Sequence, residues 1–243
     1  MADKNKVTNA TGASEDVLLK AKGFWDNYGK PIIFGLVAIV VVLASWFGYQ
    51  NYIKAPKEKK AEEAIFPAET LFDKMATTGF SKDSVNIVLN GGSTGEANVL
   101  GLLKIMNTYS GTAAANRAAY MTGASYLQIK DFDKAIKYLK EFDGNGATQV
   151  ESKADIMLGH AYAEQKKVDE ALSYYKKAVT VVSEKDEALA SDALFIAASY
   201  ADAMGKTKDA IELYQQLKDK YPNASSVQAG EVDKHLARLG ITN

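Results

Sequence analysis

Cysteine is absent from these 243 residues. The chain therefore has no disulfide, no thiolate nucleophile and no cysteine for a lipid to modify, which excludes a lipoprotein anchor. Histidine occurs only at His160 and His235, with no second histidine or cysteine at metal-ligand spacing. No serine-nucleophile elbow and no phosphate loop is expected. Asn90-Gly91-Gly92 reads as a turn, since no strand precedes it and no lysine follows. Asp131 and Asp133 are carboxylates at a turn and a helix start, where such charges are ordinary. These absences leave no catalytic residue, no metal ligand and no cofactor to name, and a non-enzyme is expected. The net charge is −1, so no basic field argues for nucleic acid. Proline is scarce, at four residues, which favours an all-α chain.

Against that background one segment stands out. Residues 31–53 carry no charge, and their centre, Ile32 to Phe47, is almost wholly apolar. About 20 such residues in a helix span a hydrocarbon core of roughly 30 Å. Trp25 and Tyr28 precede the run, and Trp46, Tyr49 and Tyr52 follow it, where amphipathic rings settle at headgroups. A buried core helix and a cleaved signal peptide are the competing readings. The run is long for either, and Tyr49-Gln50-Asn51-Tyr52 makes a poor small-residue cleavage site. A single transmembrane helix over 31–53, surrounded by lipid, is expected. Orientation by charge is close to a tie, with lysines 4, 6, 20, 22 and 30 on one flank and 54, 57, 59 and 60 on the other.

The flanks divide further. Residues 1–13 are small and polar, so disorder is expected there. Over 14–29, Val17, Leu18, Ala21, Phe24, Trp25 and Tyr28 fall on one helical face behind a Ser14 N-cap. This predicts an amphipathic helix at the membrane interface, or an extension of the anchor, with Pro31 opening the span. Residues 54–63 read as a solvated charged spacer, and 64–111 as an irregular helical region broken at residues 90–95.

From residue 112 to 243 the chain repeats. Ala135, Ala171 and Ala210 recur at spacings of 36 and 39 residues. Twelve residues before each lies a small residue, Gly123, Gly159 or Ala198; nine before lies Tyr126, Tyr162 or Ala201. This resembles the tetratricopeptide repeat, a helix–turn–helix unit of about 34 residues. Two helices that cross closely admit only Gly or Ala at the crossing, and one unit cannot bury both its faces, so units stack into a solenoid. Val232, Leu236 and Leu239 predict a C-terminal capping helix. On the repeat pattern, a binding groove on the first helices would present Arg117 and Tyr120, then Lys153, Ile156 and His160, then Asp192, Phe195, Ser199 and Asp202. That wall lacks the clustered Lys and Asn of repeats that clamp a terminal carboxylate, so that mode is not expected.

One span, a Lys/Glu spacer, an irregular helical region and three divergent repeats with a capping tail resemble the YfgM-type ancillary subunit of the Sec translocon. Gly144-Asn145-Gly146 and Asp233-Lys234-His235-Leu236 add to the likeness. Phe80-Ser81-Lys82-Asp83-Ser84-Val85-Asn86 with Gly91-Gly92 is similar to the Bacteroidota versions. The resemblance implies a bacterial inner-membrane protein with its amino terminus in the cytoplasm and its repeats in the periplasm. It implies the SecYEG channel, a PpiD-type periplasmic chaperone and unfolded exported chains as partners. The other reading is a cell-envelope assembly or cell-division scaffold unrelated to secretion. Replacing Val40 by Asp should add about 2.5–3.5 kcal/mol to insertion at the helix centre. Fractionation should then find part of the protein in the soluble pool; unchanged membrane retention would mean that the interfacial helix or a partner holds it instead.

Overall fold

The computed structural model describes residues 7–241, apart from Glu96 and Glu184. The expected disorder at residues 1–6 lies outside the described residues. The described chain divides between Lys57 and Glu58 into two compact units.

The first unit is dominated by one helix, α1 (Val7–Tyr49), followed by a π-helical turn, Gln50–Lys54. From Ile32 to Phe47 every residue is exposed. Among the described residues one helix is thus long and apolar enough to cross a membrane. Two expectations change here. Residues 7–13 are helical, and α1 runs unbroken through Ser14 and Pro31. Once nucleated, a helix gains one bond per added residue, so a continuous rod outcompetes a cap at Ser14 and a fresh start at Pro31. Pro31 then costs one backbone bond inside the rod. Ahead of it, the Phe24 and Tyr28 rings lie 5.1 Å apart. Gly29 is buried beneath Trp25, where a Cβ would meet the indole at 3.3 Å.

The charged spacer is also corrected. Residues 55–63 open a helix, α2 (Ala55–Thr78), and its first turns are structural. Ala61 is fully buried beside Ile65 and Ala68. The Glu58 carboxylate accepts from the Ala113 amide at 2.6 Å, placing negative charge at a helix start. The irregular region then continues with α3 (Lys82–Asn90), capped by the Ser81 hydroxyl, and α4 (Leu102–Thr108). Between them the expected break is a small antiparallel hairpin, β1 (Gly92–Ser93) on β2 (Asn98–Val99), pairing Gly92 with Val99. Met75, Val85, Val88, Leu102 and Ile105 share one core with Ala114 and Ala118 of the repeats, so this region is the first layer of the stack.

Three helix pairs follow: α5 (Ala113–Gln128) with α6 (Phe132–Glu141), α7 (Thr148–Glu164) with α8 (Val168–Val182), and α9 (Glu187–Ala203) with α10 (Thr207–Lys220). Each pair packs on itself and on the next. A short helix, α11 (Ser225–Gln228), leads to α12 (Glu231–Arg238), which packs on α10 through Val232 and Leu236. This is the all-α solenoid expected from the spacing.

The crossing of each pair has one design. At Gly159 a Cβ would lie 2.4 Å from the Tyr175 ring, and at Gly123 it would lie 2.5 Å from Leu139. Ala198 stands at the same place opposite Tyr214 in the third pair, and both are fully buried. Ala135, Ala171 and Ala210 are fully buried as well. Tyr126 stacks on Tyr138 and Tyr162 on Tyr174, each with planes 10° apart. The turn inside each pair is also the same three times. Lys130, Lys166 and Gly205 take φ values of 65°, 62° and 71°. The next amide, of Asp131, Lys167 or Lys206, reaches back to the carbonyl of Tyr126, Tyr162 or Ala201.

Gly159→Leu should overfill the crossing and cost about 1–3 kcal/mol or more, read as a melting temperature lower by several degrees. An unchanged melting temperature would contradict the crossing. Lys166→Gly should raise stability by up to about 1 kcal/mol, because glycine occupies the left-handed region freely. Chemical denaturation should report the gain, and Gly205→Ala the opposite change.

Candidate interaction surface

The helices α5, α7 and α9 carry the nine candidate groove residues, and the structure treats them unequally. Lys153, His160 and Asp192 are exposed. The other six are half-buried, and contacts between helices engage them.

Arg117 on α5 is held by α2. Its Nη2 donates to Glu62 Oε2 at 2.6 Å and its Nε to Glu69 Oε1 at 2.8 Å. The hydrogen bond from Arg117 holds the Glu62 carboxyl below its usual range, and the two carboxylates raise the guanidinium. Both partners are partly solvated, so the stabilisation is modest. Tyr120 packs on Phe142 with centroids 5.3 Å apart, and burial pushes its hydroxyl up. Ile156 packs against the core of the later repeats.

His160 Nδ1 lies 2.8 Å from the Tyr175 hydroxyl, and loss of solvent around the ring lowers its pKa. In the third pair Ser199 Oγ meets the Tyr214 hydroxyl at 3.1 Å, the same relation one repeat on. Phe195 sits edge-on to Tyr214 and to His235 of α12. Asp202 accepts from His235 Nδ1 at 3.1 Å and from Arg238. Phe195 and Asp202 therefore seat the capping helix. The open part of the expected wall is Lys153, His160 and Asp192, on the second and third repeats. The packing set Gly123, Tyr126, Ala135, Gly159, Tyr162, Ala171, Ala198 and Ala210 is buried throughout.

Some residues were absent from the sequence expectations. Asp155 on α7 is buried at the place where the first repeat has Ala119 and the third has Leu194. Burial raises its pKa, and Lys177 at 2.9 Å counters this. Its Oδ2 has no hydrogen-bond partner among the described residues. The repeat alignment itself flags it, as the one charge in a column of apolar residues. Tyr175 and Tyr214, one turn past Ala171 and Ala210, are within reach of the same alignment. Residues 91–95 also spell Gly-x-Ser-x-Gly, which the reading of a plain turn leaves out. Ser93 lies in the β1 hairpin rather than at a strand-to-helix elbow, and its Oγ accepts from the Gly95 amide at 3.3 Å. Among the described residues no three His, Asp or Glu side chains gather as a metal site would need.

Comparison with known proteins agrees with this architecture. The model of the family described as "Tetratricopeptide repeat-like domain" matches residues 22–232. No curated protein matches the sequence. Among solved structures, a crystal structure of a Podosopora anserina protein, described as kinesin light chain nearly identical TPR-like repeats, superposes with a TM-score of 0.51 at 13% identity. The likeness covers 72% of this chain and 92% of that one, and it concerns the fold alone. With most of its length matched by the family model, the chain belongs to the tetratricopeptide repeat-like domain family.

Proposed function

We propose that this protein is a membrane-anchored, non-catalytic scaffold of protein export, acting as an accessory subunit or chaperone adaptor of the SecYEG translocon. The observation that carries the reading is the pairing of a helix whose apolar stretch is exposed with a stack of tetratricopeptide-like repeats. The first feature suits a single pass through lipid. The second suits docking of other chains, since stacked repeats present an extended surface and the open wall residues are of mixed chemistry. The span fixes the domain at the bilayer, so a partner in the same membrane meets it at raised effective concentration. In this reading the amino terminus is cytoplasmic in the bacterial inner membrane, and the repeats work in the periplasm. There they bridge the channel and a PpiD-type chaperone and receive unfolded exported chains. The Sec-specific part is supported by the architectural resemblance to the YfgM type.

Affinity capture from mild detergent should recover Sec channel subunits together with a periplasmic isomerase. Recovery of cell-division or outer-membrane assembly factors alone would overturn the Sec reading. In right-side-out vesicles added protease should digest the repeat domain, and in inverted vesicles it should not; the reverse pattern would overturn the orientation.

A further inference from the structure

Two stacked tyrosine pairs line the first two repeats, and lysines stand over both. Lys134 Nζ lies 5.0 Å from the Tyr126 centroid and Lys137 Nζ 4.8 Å from that of Tyr138. Lys140 lies 5.3 Å from Tyr162 and 5.8 Å from Tyr174, and Lys167 lies 5.6 Å from Tyr162. Lys140 is on α6 while its rings belong to α7 and α8, so the strip crosses from one repeat to the next. Lys140 also donates to the Tyr162 hydroxyl at 2.7 Å.

A ring face orients an ammonium group but does not neutralise it. Lys134 is paired with Asp131. Among the described residues, Lys137, Lys140 and Lys167 form no ion pair with a carboxylate. All three are exposed. They are exposed cations set over ring faces, and their charge is not neutralised there.

We propose that the Lys137–Lys140–Lys167 strip docks an acidic, extended segment of a partner protein, on a surface separate from the first-helix wall. Charge complementarity selects the ligand, and the spacing of other charges selects its width. Asp133, Glu141, Asp169 and Glu170 are exposed on the same two second helices. A flat anionic bilayer would meet those carboxylates together with the lysines. A single extended chain can follow the lysines and leave the carboxylates in solvent. The strip needs no Sec partner, so it stands apart from the export reading.

The test uses the full chain in nanodiscs of uncharged lipid and a fluorescent glutamate-rich peptide of about ten residues, roughly 35 Å when extended. Anisotropy should show saturable binding that weakens about tenfold between about 50 and about 300 mM salt. The variant Lys137→Gln, Lys140→Gln, Lys167→Gln should lose about tenfold in affinity. A control with Lys185→Gln, Lys208→Gln and Lys220→Gln should bind as the parent does. Circular dichroism checks the fold of each variant, and Lys140→Glu alone should already weaken binding if the triple variant unfolds. Absence of peptide binding, or equal loss in the control, would overturn the proposal. So would capture of phosphatidylglycerol vesicles without peptide binding.

Discussion

The repeat domain depends on how closely two helices of a pair can approach. At Gly123 and Gly159 the backbone of the first helix lies against Leu139 and Tyr175 of the second, with no room for a β-carbon. That approach carries the other contacts with it. It lets Ala135, Ala171 and Ala210 reach zero exposure, and it sets the rings of Tyr126 and Tyr162 flat against Tyr138 and Tyr174. Interiors packed this densely have few soft directions, so one crossing geometry fixes the stacking of the next pair.

The same geometry explains what the sequence could reveal. A crossing that admits only Gly or Ala writes itself into the chain as a recurrent small residue, and Gly123, Gly159 and Ala198 were legible for that reason. The large partner at each crossing varies in kind, Leu139 once and tyrosine twice, so no single letter recurs. The turns were hidden for a related reason. Lys130 and Lys166 hold a left-handed position that usually signals itself by glycine, and only Gly205 does so here. In residues 55–63 charge does not mean solvation. Glu58 and Glu62 are instead bonded to Ala113 and Arg117, some 55 residues away, and no local pattern reports a partner that distant.

The candidate wall was legible only in part. Periodicity identifies which residues of α5, α7 and α9 share a face, but not which neighbour covers that face. Phe195 and Asp202 are on the expected face, yet α12 lies against them. Lys153, His160 and Asp192 stay exposed, although Tyr175 of α8 engages one edge of the His160 ring. The lysine–tyrosine strip arose from the opposite cause. Its residues come from four helices, α5 to α8, and from the turn before α8, so no periodicity within one helix brings them together.

The way α12 closes the last pair has a consequence for solubility. A stacked array that stopped at α10 would leave Tyr214, Leu217 and Phe195 as a bare apolar seat, fit for another molecule's first layer. Such a head-to-tail contact need not close on itself and can grow into a filament. α12 fills that seat with Val232 and Leu236 and leaves Glu231 and Lys234 exposed. The bond of Asp202 to His235 and Arg238 is the clasp that holds α12 over that seat.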